Sequence, residues 1–116
     1  MKGQLSDKAR LHHILDAVRS IEAYVDGITF DEFSSSSEKT FATVKQLEII
    51  GEAANRVSDE TKAKGPDIEW SKIIALRNIL VHEYYIVDHI IIWDIIEVEL
   101  PNLQIRIEEL LSAFNY

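Results

Sequence analysis

The stretch LHHILDAVRSIEAYVDGI, residues 11–28, decides the fold. Its apolar side chains fall at Leu11, Ile14, Leu15, Val18, Ile21, Val25 and Ile28. Steps of three and four set them on one side of a helix of about five turns, whereas a half-buried strand would alternate every second residue. The pattern stops at Gly27, a residue type that leaves the right-handed region at little steric cost. A helix with one apolar stripe must bury it, so the rest of the chain has to supply matching stripes.

It does so repeatedly. Residues 31–37 read as a short polar loop with four consecutive serines, and Ser35 followed by Glu38 has the spacing of a capping box for a second helix. Phe41, Val44, Leu47, Ile50, Ala54 and Val57 form that helix's stripe, and the polar run from Ser58 to Gly65 and Pro66 closes it. A third helix begins near residues 67–70 and turns Ile73, Ile74, Leu76 and Leu80 toward a core. Asp88 is placed to cap a fourth bearing Ile91, Ile92, Ile95 and Ile96. Pro101 either opens a fifth helix or kinks the fourth, and Leu103, Ile107, Leu110, Leu111 and Phe114 continue an apolar face. The β-branched run 86–96 could pass for a strand, but one strand without a partner builds no sheet. The expected architecture is all-α: an antiparallel bundle of four to five helices in one domain, residues 1–116.

Composition agrees. A chain of 116 residues fits a single domain on the usual scale of about 100 to 200 residues. Apolar residues make up 47%, enough for a core, while four glycines and two prolines are too few for a turn-rich sandwich or barrel. The absence of cysteine excludes disulfides, thiolate catalysis and cysteine zinc sites. Residues 1–10 are polar, and no apolar run approaches the roughly 18 residues of a membrane span, so the expectation is a soluble, cytoplasmic protein with no membrane association. Twelve basic residues against twenty acidic give a formal charge of −8, which argues against a broad nucleic-acid surface. Any such role has to be local.

Residues 77–85 are the unusual part of the chain. Only Arg77 and Arg106 are basic from residue 73 onward, against seven acidic residues, so Arg77 is not one member of a solvated basic face. Asn78 and His82 are four apart and share a helix face. Arg77 and His82 are five apart, about 140° around an ideal helix, and converge only if the helix is ending or the arginine reaches round. Spacing alone leaves two readings open. In one, His82 and Tyr84 are satisfied polar groups at a helix end and Arg77 pairs with a carboxylate. In the other, the permanently charged guanidinium holds a phosphodiester while the histidine moves a proton. RNA carries its own nucleophile in the 2′-hydroxyl, so such a pair would act without a metal or other cofactor.

Arg-Asn-x-x-x-His-x-Tyr, present as Arg77, Asn78, His82 and Tyr84, resembles the signature of the HEPN superfamily, specifically its HepT-like ribonuclease toxins. Ile50-Gly51-Glu52-Ala53-Ala54, Pro66-Asp67-Ile68-Glu69-Trp70, Val87-Asp88, Trp93 and Leu100-Pro101-x-Leu103 are similar to the same family, which covers residues 38–103 together. The resemblance implies a small helical bundle that forms a two-fold homodimer, with two motif copies facing each other in one metal-independent endoribonuclease site. It implies the toxin half of a toxin–antitoxin pair, whose partner is a minimal nucleotidyltransferase (MNT) antitoxin that transfers AMP to the motif tyrosine. Carried onto this chain, Arg77 and His82 would be catalytic, Asn78 supporting and Tyr84 the AMPylation target. Glu52 could orient Arg77, or be an exposed helical carboxylate. HEPN-like domains also serve as non-catalytic modules that partner a nucleotidyltransferase or bind a nucleotide, and the acidic composition suits protein contact.

Other constellations point to less. His12 and His13 are adjacent and diverge by about 100° on a helix, so they do not clamp one metal. No Glu-x-x-His occurs, which removes a di-iron bundle. His89 reads as a surface residue, Trp70 and Trp93 as core anchors, and Lys62 and Lys64 as a solvated helix end.

Overall fold

The structure is a computed structural model that describes residues 2–82 and 88–114 and, within them, the side chains of residues 6–77 and 88–114. Among the described residues everything regular is helical. The first helix, α1 (Lys2–Val25), buries the apolar stripe that begins at Leu11, with Leu11, Ile14, Val18 and Ile21 fully inaccessible. Gly27, with φ +73°, turns the chain out of it.

The polar loop expected next is a helix instead. α2 (Phe30–Ser35) is fixed by a capping box between Thr29 and Glu32, and Ser36, not Ser35, caps α3 by accepting from the Lys39 N–H at 3.1 Å. The box forms at Thr29 and Glu32 rather than at Ser35 and Glu38, because Ser35 is the last residue of α2, a helix that buries Phe33 completely.

α3 (Ser37–Arg56) runs antiparallel to α1: the Lys39 ammonium reaches the Tyr24 carbonyl at one end, and Ser58, just past α3, meets Asp7 at the other. Its stripe differs from the expected one at Phe41, which is 66% exposed, while Thr40 and Thr43 are buried. Thr40 can be buried because its hydroxyl donates to the carbonyls of Ser36 (2.8 Å) and Phe33 (3.2 Å), so it packs as an apolar residue.

A short α4 (Asp59–Ala63), capped by Ser58, leads to α5 (Trp70–His82), which packs against α3. α6 (His89–Asp94) starts at the expected cap: the Asp88 carboxylate accepts from the N–H groups of Ile90 and Ile91. One π-helical turn (Ile95–Glu99) then joins α6 to α7 (Leu100–Leu111) without a break. Pro101 explains the wide turn. It has no N–H to donate four residues back and its ring crowds that carbonyl, so the ladder expands and the Leu100 N–H bonds to the Ile95 carbonyl, five back. Pro101 therefore sits in the first turn of α7, as the opening-position reading expects, and the π turn carries the chain into it from α6 without a break.

α7 returns along α1, burying Leu103, Ile107 and Leu110, with Arg19 facing Glu108 at 3.7 Å. The lateral order is α6–α7, α1, α3, α5: an antiparallel bundle of four long segments, within the expected class. No helix among the described residues is long and apolar enough to cross a membrane.

Candidate active site

The seam between α3 and α5 is built on Gly51. A β-carbon there would stand 2.8 Å from the Arg77 backbone nitrogen, 3.1 Å from its Cβ and 3.2 Å from the Ile73 carbonyl oxygen. The two helices thus touch backbone to backbone, a distance only glycine permits. That proximity lets a short carboxylate cross the seam. Glu52, the next residue, accepts from Arg77 Nη1 at 3.2 Å with one oxygen and from Arg56 Nε at 2.9 Å with the other. The hydrogen bond from Arg56 first, and that from Arg77 second, hold the Glu52 carboxyl below the ordinary value of 4.5.

Arg77 lies at the edge of solvent, its side chain 34% exposed against 45% for Glu52. Among the described residues its Nε is buried without a hydrogen-bond partner. A guanidinium with one donor tied to a carboxylate and an edge open to solvent is suited to an oxyanion. Of the residues picked out in the sequence, the structure brings Arg77 and Glu52 into contact. Asn78 and His82 belong to the same helix, α5, and their side chains are outside the described set. Tyr84 and the neighbouring Tyr85 lie outside the described residues altogether.

Arg56 was missed, and Gly51 was named only within a family-like segment, without a role. Arg56 carries no motif, and its only signal was the i, i+4 spacing from Glu52, which is common on helix surfaces. Gly51 had a better one: glycine inside a helical stripe costs about 1 kcal/mol relative to alanine, and persists where another backbone comes close. His89, expected at the surface, is half-buried. Its Nδ1 lies 2.8 Å from the Ser34 hydroxyl and its ring packs edge-on to Phe33, so it ties α6 to α2. Trp70 and Trp93 pack against the core as expected, Trp93 with Phe30 and Phe33 and Trp70 with its indole N–H on the Gly65 carbonyl. Lys62 lies over the Trp70 ring at 5.9 Å rather than simply in solvent.

A second feature lies on the other side of α5. A groove of about 510 Å³ separates it from α6–α7, floored by Ile73, Leu76, Ile95, Leu100 and Leu103. Ile90 and Ile91 stand at its mouth, 70% and 57% exposed. Neither Arg77 nor Glu52 lines it. Among the described residues no three His, Asp or Glu side chains lie close enough to share a metal ion.

A family model described as "Ribonuclease HepT-like" matches residues 14–110. A protein of Caldanaerobacter subterraneus subsp. tengcongensis named "Putative RNase" is 38% identical over 102 residues, 88% of this chain and 91% of the relative. "Probable ribonuclease HepT" of Thermococcus cleftensis is 32% identical over 105 residues, 90% and 96% of the two chains. A further "Putative RNase", from Methanocaldococcus jannaschii, is 32% identical over 101 residues, 87% and 93%. No solved structure matches the chain.

Proposed function

The chain belongs to the HepT-like ribonuclease family, and we propose from that premise that it is a metal-independent endoribonuclease and the toxin of a prokaryotic toxin–antitoxin pair. The observation that carries the reading is Arg77: a partly exposed guanidinium, oriented by Glu52, on the helix that also bears Asn78 and His82. In the proposed reaction Arg77 holds the scissile phosphate and offsets the charge that builds on it in the pentacoordinate state. A histidine takes the proton of the 2′-hydroxyl as its oxygen attacks the neighbouring phosphorus. A second proton donor serves the departing 5′-oxygen, leaving a 2′,3′-cyclic phosphate and a 5′-hydroxyl.

One chain supplies one His82, and the reaction needs both a base and an acid, so the proposal includes a two-fold dimer in which the partner's His82 takes the second role. The groove beside α5 supports association of two copies, because its apolar floor and the exposed Ile90 and Ile91 offer a face for one, although it is not lined by Arg77 or Glu52. Regulation follows the same chemistry. AMP transferred to Tyr84 by a nucleotidyltransferase antitoxin would bring a phosphodiester and a purine toward Arg77, competing with RNA by charge and by bulk.

The test is cleavage of RNA by the pure protein in EDTA. Cleavage that persists in the chelator, and falls at least about a hundredfold in Arg77→Ala and in His82→Ala with unchanged helicity, supports the reading. Activity lost in EDTA and restored by Mg²⁺ sinks the metal-free mechanism. No cleavage by the wild type, together with binding to the nucleotidyltransferase, returns the chain to the class of non-catalytic modules. A mass gain of one adenylyl group on Tyr84 after co-expression with that enzyme identifies the antitoxin.

A further inference from the structure

Glu52 presents a problem to the reaction just proposed, and Arg56 supplies its answer. A carboxylate hydrogen-bonded to Arg77 occupies a donor that a phosphate would use, and its negative charge repels that phosphate at short range. Phosphate binding is therefore strengthened if Glu52 gives Arg77 up when substrate arrives. Its other oxygen is already held by Arg56 Nε, and at 2.9 Å that bond is shorter than the 3.2 Å bond to Arg77. Both side chains of that pair are about half exposed, so they can move.

We propose that Arg56 is a positioning residue that draws Glu52 away from Arg77, so that the guanidinium exchanges its internal carboxylate for an RNA phosphate. The inference rests on the ribonuclease reading of Arg77. With Arg56 present, two cations share one carboxylate and the trio carries a net positive charge, so Glu52 keeps a partner after the exchange and Arg77 loses nothing by turning to substrate. Without Arg56, Glu52 has only Arg77, and a phosphate must displace it outright. Arg56 is offered as a holder of Glu52, not as a group that touches RNA.

The experiment measures the Kd of a 2′-O-methyl oligonucleotide, which binds without being cut, for the wild type, Arg56→Ala, Glu52→Gln and the double variant, with cleavage of unmodified RNA followed alongside. Arg56→Ala is expected to weaken binding about tenfold, while in the Glu52→Gln background the same substitution changes Kd by less than about twofold. Arg56→Lys, which keeps the charge, stays near the wild type. An Arg56→Ala effect of equal size in both backgrounds, with a salt dependence shallower by roughly one phosphate contact, makes Arg56 a direct RNA ligand and overturns the proposal. An Arg56→Ala variant that binds like the wild type overturns it as well, leaving the ribonuclease reading intact. A wild type that neither binds nor cuts RNA overturns both together.

Discussion

α3 and α5 lie side by side in the bundle and have opposite surroundings. Eight residues of α3 are buried, whereas no described side chain of α5, from Trp70 to Arg77, is. α3 is packed between α1 and α5, with Val44, Leu47, Ile50, Ala53 and Ala54 buried and Phe41 left exposed. Among the described residues α5 packs chiefly on α3. Its Ile73 and Leu76 line a groove, so it carries apolar surface that no described residue covers. Among the described residues the element that bears Arg77, Asn78 and His82 is thus the less buried one, and α3, packed on α1, is the base from which Glu52 reaches it.

The largest expected effect tests that contrast directly. Leu47 is fully buried in α3, and Leu47→Ala should cost about 2 to 5 kcal/mol of stability, read from urea unfolding. Leu76→Ala on half-buried α5, measured at a concentration where the chain is monomeric, should cost less than about 1.5 kcal/mol. Equal losses would erase the distinction between the two helices.

Gly51→Ala examines the seam itself. Alanine is the better helix former by about 1 kcal/mol, so on an open helix surface the change would stabilise. Here the new methyl meets the Arg77 backbone, which cannot step aside as a flexible side chain does. A net loss of about 1 to 3 kcal/mol is expected, with RNA cleavage reduced as Glu52 and Arg77 separate. A stabilised variant with full activity would mean that the helices do not approach this closely.

How much of this was legible beforehand follows the same division. The α1 stripe was readable residue by residue, because a helix that packs against others over most of its length must show its period. The Asp88 cap was readable too, since a carboxylate ahead of an apolar run has one obvious use. The misreadings arise where a polar group finds a local partner. Thr40 satisfies itself on the Ser36 carbonyl one turn back and the Phe33 carbonyl of α2, and takes the buried place expected for Phe41. His89 finds Ser34, 55 residues away, a contact no periodicity encodes. At the site, Arg77 stood out as an isolated cation in an acidic segment. The role of Arg56 did not, because it depends on which two helices come together, and only Gly51 hinted at that.

A smaller effect concerns the groove. Ile91→Glu puts a charge at its mouth, where 57% of the isoleucine is already in water, so the folded single chain should lose little. If a second copy covers that face, the dimer Kd should rise at least about tenfold by sedimentation, because an unpaired charge would be desolvated on association. An unchanged Kd would move the interface elsewhere, and a chain that is monomeric to begin with would remove it.

The smallest effect lies on the well-packed side, at Asp7. This carboxylate is 3% exposed and accepts from the Ser58 N–H (3.0 Å), the Ser58 hydroxyl (2.6 Å) and the Thr61 hydroxyl (2.5 Å), tying the start of α1 to α4. Burial pushes its pKa up, but the hydrogen bonds from Ser58 and Thr61, helped by the charge of Lys62, outweigh it and leave the group below the ordinary 3.8. A carboxyl with a lowered folded-state pKa stabilises the protein at pH values above its unfolded value, and that contribution is lost as pH falls through the folded one. Asp7→Asn keeps the shape and removes the charge, and should cost about 1 kcal/mol at neutral pH. The gap between wild type and variant should then close as pH drops below 3.8, since protonated aspartate and asparagine are alike in charge. A gap that stays constant to low pH in urea unfolding would show that Asp7 holds α1 by shape rather than by its charge.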